Sequence, residues 1–100
     1  AMPRPCRYRN VRCSPDINYF KPRGIPLDLL EEVQLTLDEL EAIRLADFDD
    51  LYQAEAADKM NISRQTFGNI IKSAHKKLAE ALLQGKALKI EGGCVKKVAR

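Results

Sequence analysis

The chain has no long apolar run: nothing in its 100 residues approaches the roughly 18 consecutive apolar positions of a membrane-spanning helix. No membrane partner is expected. The start, AMPRPCRYRN, is basic, but the apolar stretch of a signal peptide does not follow it. A cytoplasmic location is therefore expected. Histidine is almost missing. His75 stands alone, next to Lys76 and Lys77, where a surface or phosphate-contacting role suits it better than catalysis. There is no Gly-rich phosphate loop and no serine elbow. The carboxylates are spread along the chain with no convergent pair. No enzyme is expected, and no cofactor.

Cysteine is scarce and odd in number. Cys6, Cys13 and Cys94 cannot make a secreted disulfide framework. No C-x-x-C is present, and six residues separate Cys6 from Cys13, a wide spacing for a zinc pair. Free thiols are the plainer reading. A thiolate site, formed where arm and tail meet, is the alternative, and it would make the protein a metal-sensing regulator.

Charge is present in quantity and unevenly placed. Residues 1–24 hold six Lys/Arg against one Asp, residues 25–60 two against eleven acids, and residues 61–100 nine against two. The net charge of +3 hides basic ends and an acidic middle. Such polarity can orient a domain on a polyanion and keep its back away from it.

The length fits one domain, read in three stretches: residues 2–35 a basic arm and lead-in segment, 36–85 a helix-turn-helix domain, 86–100 a short strand and basic tail. Pro3, Pro5, Pro15 and Pro22 leave the arm no helical period. It is expected to be extended, with a short strand around Asn10 to Cys13. Arg4, Arg7, Arg9 and Arg12 are placed to reach phosphates or a minor groove; a disordered basic tail is the equal alternative. Tyr19 and Phe20 are expected to anchor the arm on the body. Ile25 to Gln34 reads as a short helix or turn, with Pro26 in its first turn. Thr36 to Glu39 has the form of a capping box, opening a helix that runs to about Phe48. Asp47, Asp49 and Asp50 follow as a solvated loop, without EF-hand spacing.

Tyr52 to Leu83 carries the organising pattern. A short helix contains Ala57, a small residue suited to close backbone packing. Asn61 sits where the turn needs left-handed backbone, which Asn tolerates best after Gly. Ile62 plugs the core, and Ser63 caps the second helix. Phe67, Ile70, Ile71, Ala74 and Leu78 form one apolar stripe. The opposite face offers Arg64, Gln65, Asn69, Lys72 and Lys76, with Thr66 beside them. A helix apolar on one side and rich in Arg, Gln, Asn and Lys on the other suits the major groove of double-stranded DNA. Ile71, Ala74, Leu78, Ala81 and Leu82 either pack within the chain or form a dimer seam. Gly85 is a natural C-cap. Ala87 to Glu91 alternates enough for a short strand, and residues 94–100 read as a mobile basic tail.

LTLDELEAIRLAD from Leu35, followed by Tyr52 to Leu83, resembles the helix-turn-helix of sigma factor region four, and LuxR-type DNA-binding domains share a similar layout. The whole chain resembles an uncharacterised prokaryotic family of predicted DNA-binding proteins. The likeness runs through MPRP at Met2, YFKPRGIPL at Tyr19 to Leu27, LTLDELEAIRLADFDDLYQAEAA, ISRQTFGNII and GKALKIEGG ending at Gly93. It implies a sigma-four-like helical domain and sequence-directed DNA binding. Some relatives in that family are linked to proteins handling iron–molybdenum cofactor or metal clusters. Carried over by position, Ser63, Arg64, Gln65, Thr66 and Asn69 fall on the part of the second helix that meets DNA.

The expected fold is thus all-α: a sigma region-four-like helix-turn-helix bundle, an extended basic N-terminal arm and room for a short C-terminal strand. The expected function is sequence-specific DNA binding by a transcriptional regulator, acting as a homodimer. Arg64 and Gln65 are expected at base edges, Thr66 and Asn69 read or support neighbours, Ser63 lies on the part of the helix that meets DNA, and Lys72, Lys76, Arg4 and Arg7 hold phosphates. The alternative is a protein-interaction module that contacts RNA polymerase or another partner.

Overall fold

Local sequence signals set the helices. The structure, a computed structural model, describes residues 8–12, 16–93 and 95–97, with Lys96 and Lys97 by backbone alone. Helix α1 (Leu37–Ile43) opens on a reciprocal capping box. The Thr36 N–H donates to the Glu39 carboxylate at 2.9 Å, and the Glu39 N–H donates to the Thr36 hydroxyl at 3.4 Å. Two otherwise orphaned donors are thereby satisfied, and Asp38 and Glu39 lie at the positive end of the helix dipole. The helix then widens into a π-helical turn, Arg44–Phe48, closed by the Asp49 N–H donating to the Arg44 carbonyl at 2.8 Å.

Helix α2 (Gln53–Met60) ends at Asn61, whose φ of 58° and ψ of 45° are left-handed. The Ile62 N–H returns to the Ala57 carbonyl at 3.0 Å, which tightens the turn. Helix α3 (Arg64–Gln84) starts at Ser63, whose hydroxyl accepts from the Thr66 N–H at 3.1 Å. It stops at Gly85 in left-handed backbone. Its 21 residues make a rod of about 30 Å.

Around these helices the described residues form five short strands: β1 (Arg9–Val11), β2 (Tyr19–Phe20), β3 (Glu32–Leu35), β4 (Ala87–Ile90) and β5 (Val95–Lys97). Strand β4 is the centre of a three-stranded sheet, antiparallel to β2 and parallel to β3. Strands β1 and β5 form a separate parallel pair, with Arg9 opposite Val95.

The all-α, sigma region-four-like bundle expected from sequence is therefore corrected to a mixed α/β architecture. The reason is clearest between Ile25 and Gln34. Only Leu27–Leu29 coils there, as a single 3-10 turn with Pro26 before it. Leu27 and Leu29 are exposed, so their spacing is not a core stripe. Next, Val33 and Leu35 turn inward while Glu32 and Gln34 face out, the two-residue period of a half-buried strand. The tail is corrected likewise, because Val95–Lys97 is paired backbone. Tyr19 and Phe20 enter the sheet through backbone pairing with Lys89 and Leu88, and Phe20 stays exposed.

Two apolar clusters divide α3 along its length. Phe67, Ile70 and Ile71 pack with Ala42, Leu45, Ala56, Ala57 and Met60 of the other helices. One turn on, Ala74 packs with Leu35 and Ile90 of the sheet. Burying a Phe or Ile side chain stabilises by about 1.5–3 kcal/mol, so the stripe holds α3 firmly with one face outward. Ile71, Ala74 and Ala81 are buried within their own chain, leaving Leu82 and Leu83 exposed on the late part of the helix.

Candidate nucleic-acid interface

The α2–turn–α3 unit positions the side chains expected to meet DNA. Helix α3 is held by its apolar stripe. Arg64, Gln65, Asn69, Lys72 and Lys76 are exposed, and Thr66 is half-buried. The side chains of Arg64, Gln65, Asn69 and Lys72 have no hydrogen bond or ion pair among the described residues. Lys76 lies one turn before Glu80 and helps to hold that carboxyl below its ordinary range, behind the larger effect of the hydrogen bond from Lys86. A row of donors therefore faces solvent on the first half of one rigid helix.

Ser63 and Thr66 stand apart from this row. The Ser63 hydroxyl accepts from the Thr66 N–H and donates to the Thr66 hydroxyl at 2.8 Å. These two hydroxyls build the cap, and so they orient the row. Such a cap is worth about 1 kcal/mol.

Of the arm, Arg4 and Arg7 lie outside the described residues, as do Cys6, Cys13 and Cys94. Arg9 turns inward and pairs with Asp38 at 3.6 Å. Arg12 donates its backbone N–H to Glu41 at 3.0 Å and keeps its side chain exposed. His75, expected in a surface or phosphate-contacting role, is exposed and held by Asp47 at 2.6 Å, a contact between the π-helical turn and α3.

The acids of α1 are not a solvated back face. Asp38, Glu39 and Glu41 are buried. Glu39 binds the Lys77 ammonium at 2.7 Å and the Ser73 hydroxyl at 2.6 Å. Burial pushes its carboxyl pKa up, but Lys77, Ser73 and the Thr36 contacts together outweigh that and hold it below the ordinary 4.5. Glu41 takes the Arg44 guanidinium on both oxygens, at 2.8 and 2.9 Å. The i,i+3 spacing of Glu41 and Arg44 was a readable signal for that pair.

One position escaped the sequence reading. Gly68 sits inside α3, one turn after Arg64 and one before Lys72. A Cβ built there meets only the Gln53 side chain, at 3.7 Å, an ordinary contact.

Residues 2–98 match the family described as "Protein of unknown function DUF134". The chain belongs to the DUF134 family. This DUF134 chain is 59% identical over 92 residues to a UPF0251 protein of Caldanaerobacter subterraneus subsp. tengcongensis, a match covering 92% of this chain and 78% of the relative. A UPF0251 protein of Dehalococcoides mccartyi is 58% identical over 92 residues, covering 92% and 79%. One from Desulfosudis oleivorans is 55% identical over 92 residues, covering 92% and 67%. No solved structure matches the chain significantly. DUF134 membership fixes kinship; the chemistry is read from the side chains. Among the described residues of this DUF134 member, no helix is long and apolar enough to cross a membrane.

Proposed function

We propose that this protein binds double-stranded DNA with the first half of α3 in the major groove and acts as a transcriptional regulator. The observation that carries the reading is the exposed row Arg64, Gln65, Asn69 and Lys72, unpartnered among the described residues and opposite a buried stripe. Arg64 is suited to the O6 and N7 of guanine, and Gln65 to the N6 and N7 of adenine. Asn69 reads a neighbouring base, and Lys72 and Lys76 bind phosphates. The Ser63–Thr66 cap fixes where Arg64 and Gln65 point. Gly68 adds support. A glycine inside a helix costs about 1 kcal/mol against alanine. Its neighbours leave room for a methyl group, so a smooth backbone serves approach from outside. A homodimer on paired half-sites would raise affinity, because one such helix spans few base pairs.

The test is in-vitro selection of bound duplexes, followed by gel shifts over a salt series. Binding is expected to weaken steeply as salt rises. Arg64→Ala should relax preference at one base position, a loss of about 1–3 kcal/mol in discrimination. Lys72→Ala should weaken all sequences alike and lower the salt slope by about one. If no duplex is selected, or if Arg64→Ala leaves the selected site's affinity intact, this docking of α3 is wrong.

A further inference from the structure

A cavity of about 270 Å³ is walled by Asn10, Arg12, Glu41, Arg44, Leu45, Asp49 and Lys59, none of them on α3. Four pieces of the fold contribute to it: the strand end after β1, helix α1, the π-helical turn and the end of α2. Its charges are not equally engaged. Arg44 is neutralised, since Glu41 takes its Nε–H and one terminal N–H and Asp49 takes another at 3.0 Å. Glu41, almost fully buried, also accepts the Arg12 backbone N–H. The two acids of the wall are thus committed to protein donors. The Arg12 guanidinium and the Lys59 ammonium make no hydrogen bond or ion pair among the described residues. Leu45 supplies an apolar wall, and Asn10 supplies an amide that can donate or accept.

We infer that this cavity is a binding site for a small phosphate monoester, with its dianionic phosphate between Arg12 and Lys59. Two unpaired cations in one lining match a doubly charged group better than a single carboxylate. The volume exceeds that of a bare phosphate and suits a phosphorylated sugar, whose hydroxyls would meet Asn10 and whose carbon face would meet Leu45. The ligand would join the arm to α2 through its own charge. Arg44, held by Glu41 and Asp49, keeps those acids from repelling it. The inference stands apart from the nucleic-acid reading, because none of these residues belongs to the α3 row.

Isothermal titration calorimetry on the full chain tests it, with ribose 5-phosphate and inorganic phosphate as probes. Ribose 5-phosphate is expected to bind with one-to-one stoichiometry and more tightly than inorganic phosphate. Arg12→Gln and Lys59→Gln should each weaken it by about tenfold or more, the loss of one charge-assisted contact. Both residues are exposed, so both variants should fold; far-ultraviolet circular dichroism checks this. Arg64→Gln, at a residue that does not line the cavity, should leave the affinity unchanged. The inference is overturned if wild-type protein binds neither probe. It is equally overturned if Arg64→Gln weakens binding as much as Arg12→Gln, which would mean diffuse attraction to any basic surface. Failure here leaves duplex binding untouched, and failure to bind duplex leaves this cavity untouched.

Discussion

Helices α1 and α3 use charge in opposite ways. On α1 the acids Asp38, Glu39 and Glu41 point inward, each against a cation: Arg9, Lys77 and Arg44 in turn. On the first half of α3 the cations and amides point outward, without such partners among the described residues. A sequence count gives both helices a strong charge of one sign. Only α3 has that charge available to another molecule. Of the acidic middle of the chain, read from sequence as a face that keeps off a polyanion, the α1 acids Asp38, Glu39 and Glu41 are internal structure, while the other acids between residues 25 and 60 stay exposed.

The sharpest way to break this contrast is to remove a buried acid. Glu39→Ala strips the partner from Lys77, Ser73 and the Thr36 N–H at once, and unfolding in urea should show a loss of about 3 kcal/mol. A loss under about 0.5 kcal/mol would place Glu39 with ordinary surface charges. Acid titration sharpens the same point. The folded pKa of Glu39 is depressed below 4.5, so its stabilising contribution is complete above that value. It is lost as pH falls through the lower folded value, because the unfolded chain takes up the proton first. Wild-type stability should therefore decline below about pH 4.5, and Glu39→Gln should flatten that decline.

Gly68→Ala should act in the opposite direction, raising stability by about 0.5–1 kcal/mol through helix propensity. If the α3 surface meets a duplex closely, the same change should lower DNA affinity, so stability and binding would move apart. The smallest effect belongs to Lys72→Ala. Its fold stability should stay within about 0.5 kcal/mol of wild type while its DNA affinity falls. A large stability loss there would reveal an internal role and erase the contrast with α1.

Much of the helical half was legible because its signals are local. The Thr36–Glu39 box, Asn61 in the turn, Ser63 at the cap, Gly85 at the stop and the Phe67–Ile70–Ile71–Ala74 stripe each act within a few residues. Strands β1 and β4 were legible, near Asn10 and over Ala87 to Ile90; β2, β3 and β5 were not, because each has two to four residues and is stabilised by a distant partner. Glu32–Leu35 does alternate, but four residues of alternation cannot outvote a preceding Leu-rich stretch that looks helical. The π-helical turn after Ile43 left no compositional mark. In the candidate interface, the identity of the outward row was readable from helical spacing alone. The capture of Arg9 by Asp38 and of His75 by Asp47 was not, since both partners come from elsewhere in the fold.

The parallel pairing of β3 with β4 has a consequence for the order of assembly. Val33 and Leu35 have no ladder partners until Leu88 and Ile90 exist. During synthesis the α2–turn–α3 unit can coil and collapse while β3 waits, its apolar face uncovered, for more than fifty further residues to be made. The three-stranded sheet therefore closes after the helices, ahead of the β1–β5 pair, which waits for Val95–Lys97, and a ribosome stalled within α3 would display a sticky, half-finished edge.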